Sequence, residues 1–212
     1  IGPPLYEGYA HVYGTKEPLT SELVDLYRVY YAEKGVYELD VYPGIRELLE
    51  NLRAAGVKTA VTSSKPLHFL QMAVPFAGLA PLFDVVVGPE LQNKNADKCF
   101  LIRQALDRLG LETPATAAAS VTATTPGAAT EPAATVTPAT TPGAATEPSV
   151  AVAPLDGIFM VGDRHYDITG GKDAGLCTIG VTYGFGTEEE LRAAGADAIV
   201  HTPSALQKYL LP

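Results

Sequence analysis

Five short runs of β-branched and apolar residues, each preceded or followed by a helix signal, restrict this chain to one kind of architecture. They are Val57–Thr62, Phe83–Gly88, Gly157–Gly162, Cys177–Thr182 and Ala196–Val200, each bounded by glycine, proline or polar residues. Between them, Gly44–Gly56 places Ile45, Leu48, Leu49 and Leu52 on one helical face and stops at Gly56. Asp97–Gly110 is predicted to bury Phe100, Leu101, Ala105 and Leu109 and to stop at Gly110. Thr187-Glu-Glu-Glu190 has the capping-box form at a further helix start. Strands that alternate with helices need crossovers lying on the sheet, so the expected class is α/β, a parallel sheet with helices on both faces.

Two stretches stand outside that pattern. From Thr113 to Pro154 the chain is almost entirely Ala, Thr and Pro, and Thr124–Pro132 recurs as Thr140–Pro148. Proline every few residues forbids helix and sheet ladders, and Ala and Thr offer too little apolar area to offset chain entropy. A disordered insertion is therefore expected, acting as a spacer or as a glycosylated or interaction segment. It would burden the flanking fold little, because closure cost grows only logarithmically with loop length. The first 42 residues hold eight of the eleven tyrosines, with a helix predicted from about Thr20 to Lys34. Leu23, Leu26, Tyr27, Tyr30 and Tyr31 share helical spacing there, as the core of a small helical subdomain or as an aromatic wall over a small-molecule site.

Composition excludes several classes of function. With 15 basic against 24 acidic side chains and no Lys/Arg cluster, the chain lacks the means to neutralise a phosphate backbone, so no nucleic-acid partner is expected. No apolar run is long enough to span a membrane. Two cysteines, Cys99 and Cys177, are too few for a disulfide scaffold and point to a reducing compartment, hence a cytoplasmic location. His68, His165 and the two cysteines have no metal-site spacing.

In an open parallel sheet, ligands gather beyond the carboxyl ends of the strands. Three such places carry complementary polar groups. Thr62-Ser63-Ser64-Lys65-Pro66 offers hydroxyls and free backbone N–H groups as a phosphate cradle, or simply a helix cap. Asn93-Lys94-Asn95-Ala96-Asp97-Lys98 offers an ammonium to neutralise phosphate, unless both lysines are surface residues. Gly162-Asp163-Arg164-His165-Tyr166-Asp167 puts two carboxylates four residues apart after a buried strand, which suits a hard, oxygen-liganded ion such as Mg²⁺. The Gly170-Gly171 pair behind them lets the following helix approach closely.

The segment Gly162-Asp163-Arg164-x-x-Asp167-Ile168-x-Gly-Gly-Lys172-x-Ala-Gly175 resembles the fourth motif of the haloacid dehalogenase (HAD) superfamily of phosphohydrolases. Its sequel from Val181 to Asp197 is similar to the phosphoglycolate phosphatase-like branch, and Val61–Pro66 resembles the second motif. Ile1–Leu5 resembles that branch's cap region and Val41–Ile45 its return into the core. The resemblance implies a partial helical cap over 1–38, a core in two parts over 39–112 and 155–212, and the insertion over 113–154. It implies that Ser63, Ser64 and Lys98, with Lys94 the alternative, hold the phosphoryl group, that Asp163 and Asp167 belong to a Mg²⁺ site, and that Asp167 orients metal-bound water or Lys98.

Members of the family open on a strand ending in Asp-x-Asp-Gly-Thr, whose first Asp attacks phosphorus to give an aspartyl-phosphate. No Asp-x-Asp occurs in this sequence, and the chain opens on Ile1. The expectation is therefore a chain lacking its amino-terminal catalytic strand. That strand belongs between the ones ending at Thr62 and Gly162, so a central gap, or a closing of those strands, is expected, with exposed edges and poor solubility. The implied function is a Mg²⁺-dependent phosphatase for a small phosphorylated metabolite, present here as an inactive fragment. A phosphate-binding or interaction protein that has lost its nucleophile is the alternative. A receiver-type signalling domain fits less well, because the Gly162–Gly175 segment and the tyrosine-rich start do not suit it.

Overall fold

A computed structural model describes residues 5–93, 97–111 and 157–211. The insertion over 113–154, the opening Ile1-Gly-Pro-Pro and Lys94 lie outside the described residues.

The chain begins with two helices, α1 (Leu5–Tyr13) and α2 (Leu19–Glu33), followed by a 3₁₀ turn at Gly35–Tyr37. The alternating part then runs α3 (Ile45–Ala54), β1 (Ala60–Thr62), α4 (Leu67–Phe76), β2 (Val85–Val87) and α5 (Lys98–Leu109). It continues with β3 (Phe159–Gly162), α6 (His165–Asp173), β4 (Cys177–Val181), α7 (Glu188–Ala193), β5 (Ala198–Val200) and α8 (Pro203–Leu210). All five predicted strands are present, each shorter than its apolar run. In the first, Thr59 stops short of the ladder because its N–H is taken by the Asp84 side chain at 2.8 Å.

Every strand pair is parallel. β1 pairs with β2, with Ala60 opposite Val85, and β3, β4 and β5 pair in that order, with Phe159 opposite Cys177 and Ile179 opposite Ala198. Among the described residues these are two separate sheets: β1 and β3 do not pair with each other. They meet through the Thr62 hydroxyl, which lies 3.8 Å from the Met160 sulfur.

What joins the two sheets is α5. Its Leu101 and Ala105 pack on Val87 with Ala60 and Val85, while Cys99, Ile102 and Leu106 pack on Met160, Ala174 and Leu176. This double duty corrects one sequence expectation: the buried set is Cys99, Leu101, Ile102, Ala105 and Leu106, Leu109 is half-buried, and Phe100 stands 60% exposed. A helix seated over two sheets buries a broad stripe, and Phe100 falls beyond it. On the opposite side α3 and α8 bury Leu48, Leu49, Leu52 and Leu206 against Ile179, Val181 and Val200. Helices thus cover both faces, as the alternation implies.

In α2 the buried residues are Thr20 and Val24, with Tyr27, Arg28 and Tyr31 half-buried one turn apart. Leu26 and Tyr30 face outward, 69% and 50% exposed. Of the five residues predicted to share a face, Leu23, Tyr27 and Tyr31 turn inward because Tyr31 packs edge-on against Phe69 of α4, at 5.0 Å between ring centroids.

Candidate active site

The carboxyl ends of β1 and β3 bring three of the sequence motifs together. After Thr62, the Ser63 N–H donates to the Val87 carbonyl at 3.1 Å and its hydroxyl accepts the Lys65 N–H at 3.1 Å. The Ser63 hydroxyl proton has no acceptor among the described residues. Leu67 N–H is spent on the Pro89 carbonyl, so the cradle narrows to the Ser63 hydroxyl and the Ser64 N–H, which has no partner among the described residues.

Lys98 is the first residue of α5, whose N-cap Asp97 accepts the Cys99 N–H at 3.0 Å. Its ammonium crosses from α5 to both sheets, donating to the Thr62 carbonyl at 2.8 Å and lying 2.7 Å from Asp167 Oδ1. Side-chain exposures of 12% and 13% make this a largely buried pair. Asp167 Oδ2 accepts the Arg164 N–H at 3.1 Å, so both carboxylate oxygens are engaged. The approach depends on glycines, as the Gly-Gly pair suggested. A Cβ on Gly170 would sit 2.7 Å from Lys98 Cγ, and one on Gly162 would sit 2.2 Å from Asp167 Cβ.

Asp163 follows β3 directly. Its Oδ2 accepts the Phe185 N–H at 2.8 Å, while Oδ1 makes no hydrogen bond or ion pair to a described residue. Beside it lies a shallow cavity of about 240 Å³ lined by Asp163, Gly162, Tyr42, Tyr183 and Phe185. Burial, with the Asp163 charge added, pushes the Tyr183 phenol up to about 12, so it stays neutral beside the carboxylate.

Two further anchors had escaped the sequence. Glu190 Oε1 accepts from Arg164 Nε at 2.9 Å, from the His165 N–H at 3.0 Å and from His165 Nδ1 at 2.7 Å. Burial pushes the Glu190 carboxyl up, but bonds from His165 and then Arg164 outweigh it and bring the carboxyl down to about 2. A depressed carboxyl contributes stability above its unfolded value and loses it as pH falls towards the folded one. Thermal melts from pH 7 to pH 2 should therefore show a smaller acid loss in Glu190→Gln than in the parent, the difference opening below about pH 4.5. Parallel curves over that range would count against it.

The second anchor is Lys65, which hydrogen-bonds the Tyr31 hydroxyl and lies 5.0 Å from that ring's centroid. Arg28 of the same helix donates to the Leu91 carbonyl at 2.8 Å. Helix α2 is thereby fastened over the Ser63 turn and the loop after β2, with Tyr27 stacked on Tyr31 at 5.4 Å. Neither link has a sequence signature, because each joins a half-buried cation to a partner more than thirty residues away.

Among the described residues no three His, Cys, Asp or Glu side chains cluster as a ready-made metal cage. Magnesium does not need one: it keeps several waters and takes one or two carboxylates beside substrate phosphate. The open Asp163 Oδ1 fits that requirement, while Asp167 is committed to Lys98 and Arg164. No described helix is long and apolar enough to cross a membrane.

Residues 1–118 match the family of haloacid dehalogenase-like hydrolases, and residues 128–206 match a second model described as HAD-hydrolase-like. A 5'-nucleotidase of Pseudomonas aeruginosa is 31% identical over 91% of this chain and 68% of its own length. A phosphoglycolate phosphatase of Vibrio parahaemolyticus is 25% identical over 97% of this chain and 72% of its own. Among solved structures, a predicted phosphatase from Clostridium acetobutylicum superposes with a TM-score of 0.74 at 32% identity, covering 99% of this chain and 78% of that one. With its parallel strands, its carboxylates after β3 and its lysine at the head of α5, the chain belongs to the haloacid dehalogenase-like hydrolases.

Proposed function

We propose that this chain carries the phosphate- and metal-binding half of a Mg²⁺-dependent phosphomonoesterase acting on a small phosphorylated metabolite. One observation carries the reading above the rest: the Lys98 ammonium is held at the strand ends by Asp167 and by the carbonyl of Thr62, the residue before Ser63. A fixed cation with a free hydroxyl proton and the Ser64 N–H beside it is a receptor for a dianionic phosphoryl group. Asp163 Oδ1 would hold Mg²⁺, which supplies charge neutralisation to the phosphoryl oxygens when bound. Asp167 holds Lys98 in place. Tyr183 remains neutral and adds no charge beside Asp163. The relatives named 5'-nucleotidase and phosphoglycolate phosphatase agree with a small phosphomonoester as the substrate class.

The 212 residues contain no Asp-x-Asp, so the chain by itself supplies no aspartyl nucleophile for this chemistry. The alternative reading is a protein that binds phosphate without turning it over. Both readings require the phosphate receptor. In ³¹P NMR titrations with Mg²⁺ present, inorganic phosphate should show saturable binding that Ser63→Ala weakens about tenfold, the loss of one hydrogen bond to a charged acceptor. Equal binding by parent and variant would remove Ser63 from the site.

A further inference from the structure

Thr187 caps α7 by accepting the Glu190 N–H on its hydroxyl at 3.1 Å. In a capping box the Glu190 side chain would return to the cap's own N–H. It turns instead to the start of α6, where one oxygen, Oε1, collects three donors, all from Arg164 and His165, the two residues after Asp163. The Arg164 and Glu190 side chains are each only 24% exposed.

The loop leading into α7 closes on Asp163 from the other side. The Phe185 N–H pins Asp163 Oδ2, and Gly184 and Gly186 lie close against the residue. A Cβ on Gly186 would fall 1.8 Å from the Asp163 carbonyl oxygen, and one on Gly184 would fall 2.3 Å from Asp163 Cβ. Residues 184–190 therefore grip Asp163 by its backbone, by one carboxylate oxygen and by its two successors. Of its two carboxylate oxygens, Oδ1 has no hydrogen bond or ion pair to a described residue.

We infer that Glu190 is a positioning residue for the metal site: it locks the 163–165 turn so that Asp163 Oδ1 stands open towards the cavity while Oδ2 is held by Phe185. The inference rests on the reading of Asp163 as the Mg²⁺ ligand, and it adds a residue that neither touches the ion nor belongs to a carboxylate pair. Outer partners that orient a ligand commonly change metal affinity as strongly as a ligand's own neighbours do. A side chain that merely stabilised the fold would change the melting temperature and leave the affinity of the folded fraction alone.

The test is a titration of the 212-residue chain with Mn²⁺, free ion being counted by electron paramagnetic resonance, with circular dichroism confirming the fold of each variant. Asp163→Asn should abolish the binding the parent shows; if it does not, the metal reading fails and the Glu190 role falls with it. Given that loss, Glu190→Ala should raise the dissociation constant about tenfold, and Glu190→Gln, whose amide oxygen can take the same donors, should stay within about threefold of the parent. A folded Glu190→Ala with an unchanged constant overturns the inference while leaving Asp163 as the ligand. A Glu190→Gln as weak as the alanine variant overturns it too, because charge and not position would then be responsible. Should Glu190→Ala not fold, Arg164→Met removes one of the three donors and takes its place. A weakened constant there supports the inference, and an unchanged one overturns it.

Discussion

Lys98→Met should cost about 3–5 kcal/mol of unfolding free energy, the range for breaking a buried ion pair from one side. The ammonium is 12% exposed and lies 2.7 Å from Asp167, itself 13% exposed. Removing it strands a carboxylate and the Thr62 carbonyl at once. The methionine fills the space, so the loss measures the orphaned charge and not a cavity. Adding Asp167→Asn should recover most of the stability, because the orphaned carboxylate is gone. Urea denaturation of the parent, the single variant and the double variant checks both steps. A single variant within about 1 kcal/mol of the parent would mean that the pair is solvated, not buried.

The second large effect is one of chemistry. The 212-residue chain should give no measurable turnover of p-nitrophenyl phosphate with Mg²⁺, because its sequence holds no Asp-x-Asp to form and break an aspartyl-phosphate. In the proposed reading the groups at the strand ends hold a phosphoryl group and neutralise it without attacking phosphorus. Lys98 is engaged by Asp167 and Thr62, and the Ser63 hydroxyl has no general base among its hydrogen-bond partners. Clear turnover that disappears in Asp163→Asn would show that another residue attacks phosphorus.

Much of the fold was legible because strands and core helices advertise themselves by period. The apolar runs at 157–162 and 177–182 became β3 and β4, paired in parallel with helices on both faces. The strand-end motifs were legible for a related reason: backbone placement alone puts residues 63, 98 and 163 at the ends or beginnings of elements. What periodicity could not show was which way a side chain turns once its local bond is available. Glu190 sits at the capping-box position yet spends its carboxylate on Arg164 and His165, some twenty-five residues earlier. Phe100 lies on an apolar face by spacing but outside the stripe that α5 buries, because that stripe spans two sheets. The family pattern left open a central gap or a closing of the strands, and among the described residues β1 and β3 lie in two sheets without pairing.

The most direct measurement is the Mg²⁺-dependent turnover of a chimera, in which a strand ending in Asp-x-Asp-Gly-Thr is joined ahead of Ile1 by a flexible linker. If Ser63, Lys98 and Asp163 form the receiving half of a phosphomonoesterase, the chimera should hydrolyse p-nitrophenyl phosphate, and Asp163→Asn in it should lower the rate by about a hundredfold or more. A folded chimera without activity, or one whose activity survives Asp163→Asn, would contradict the account.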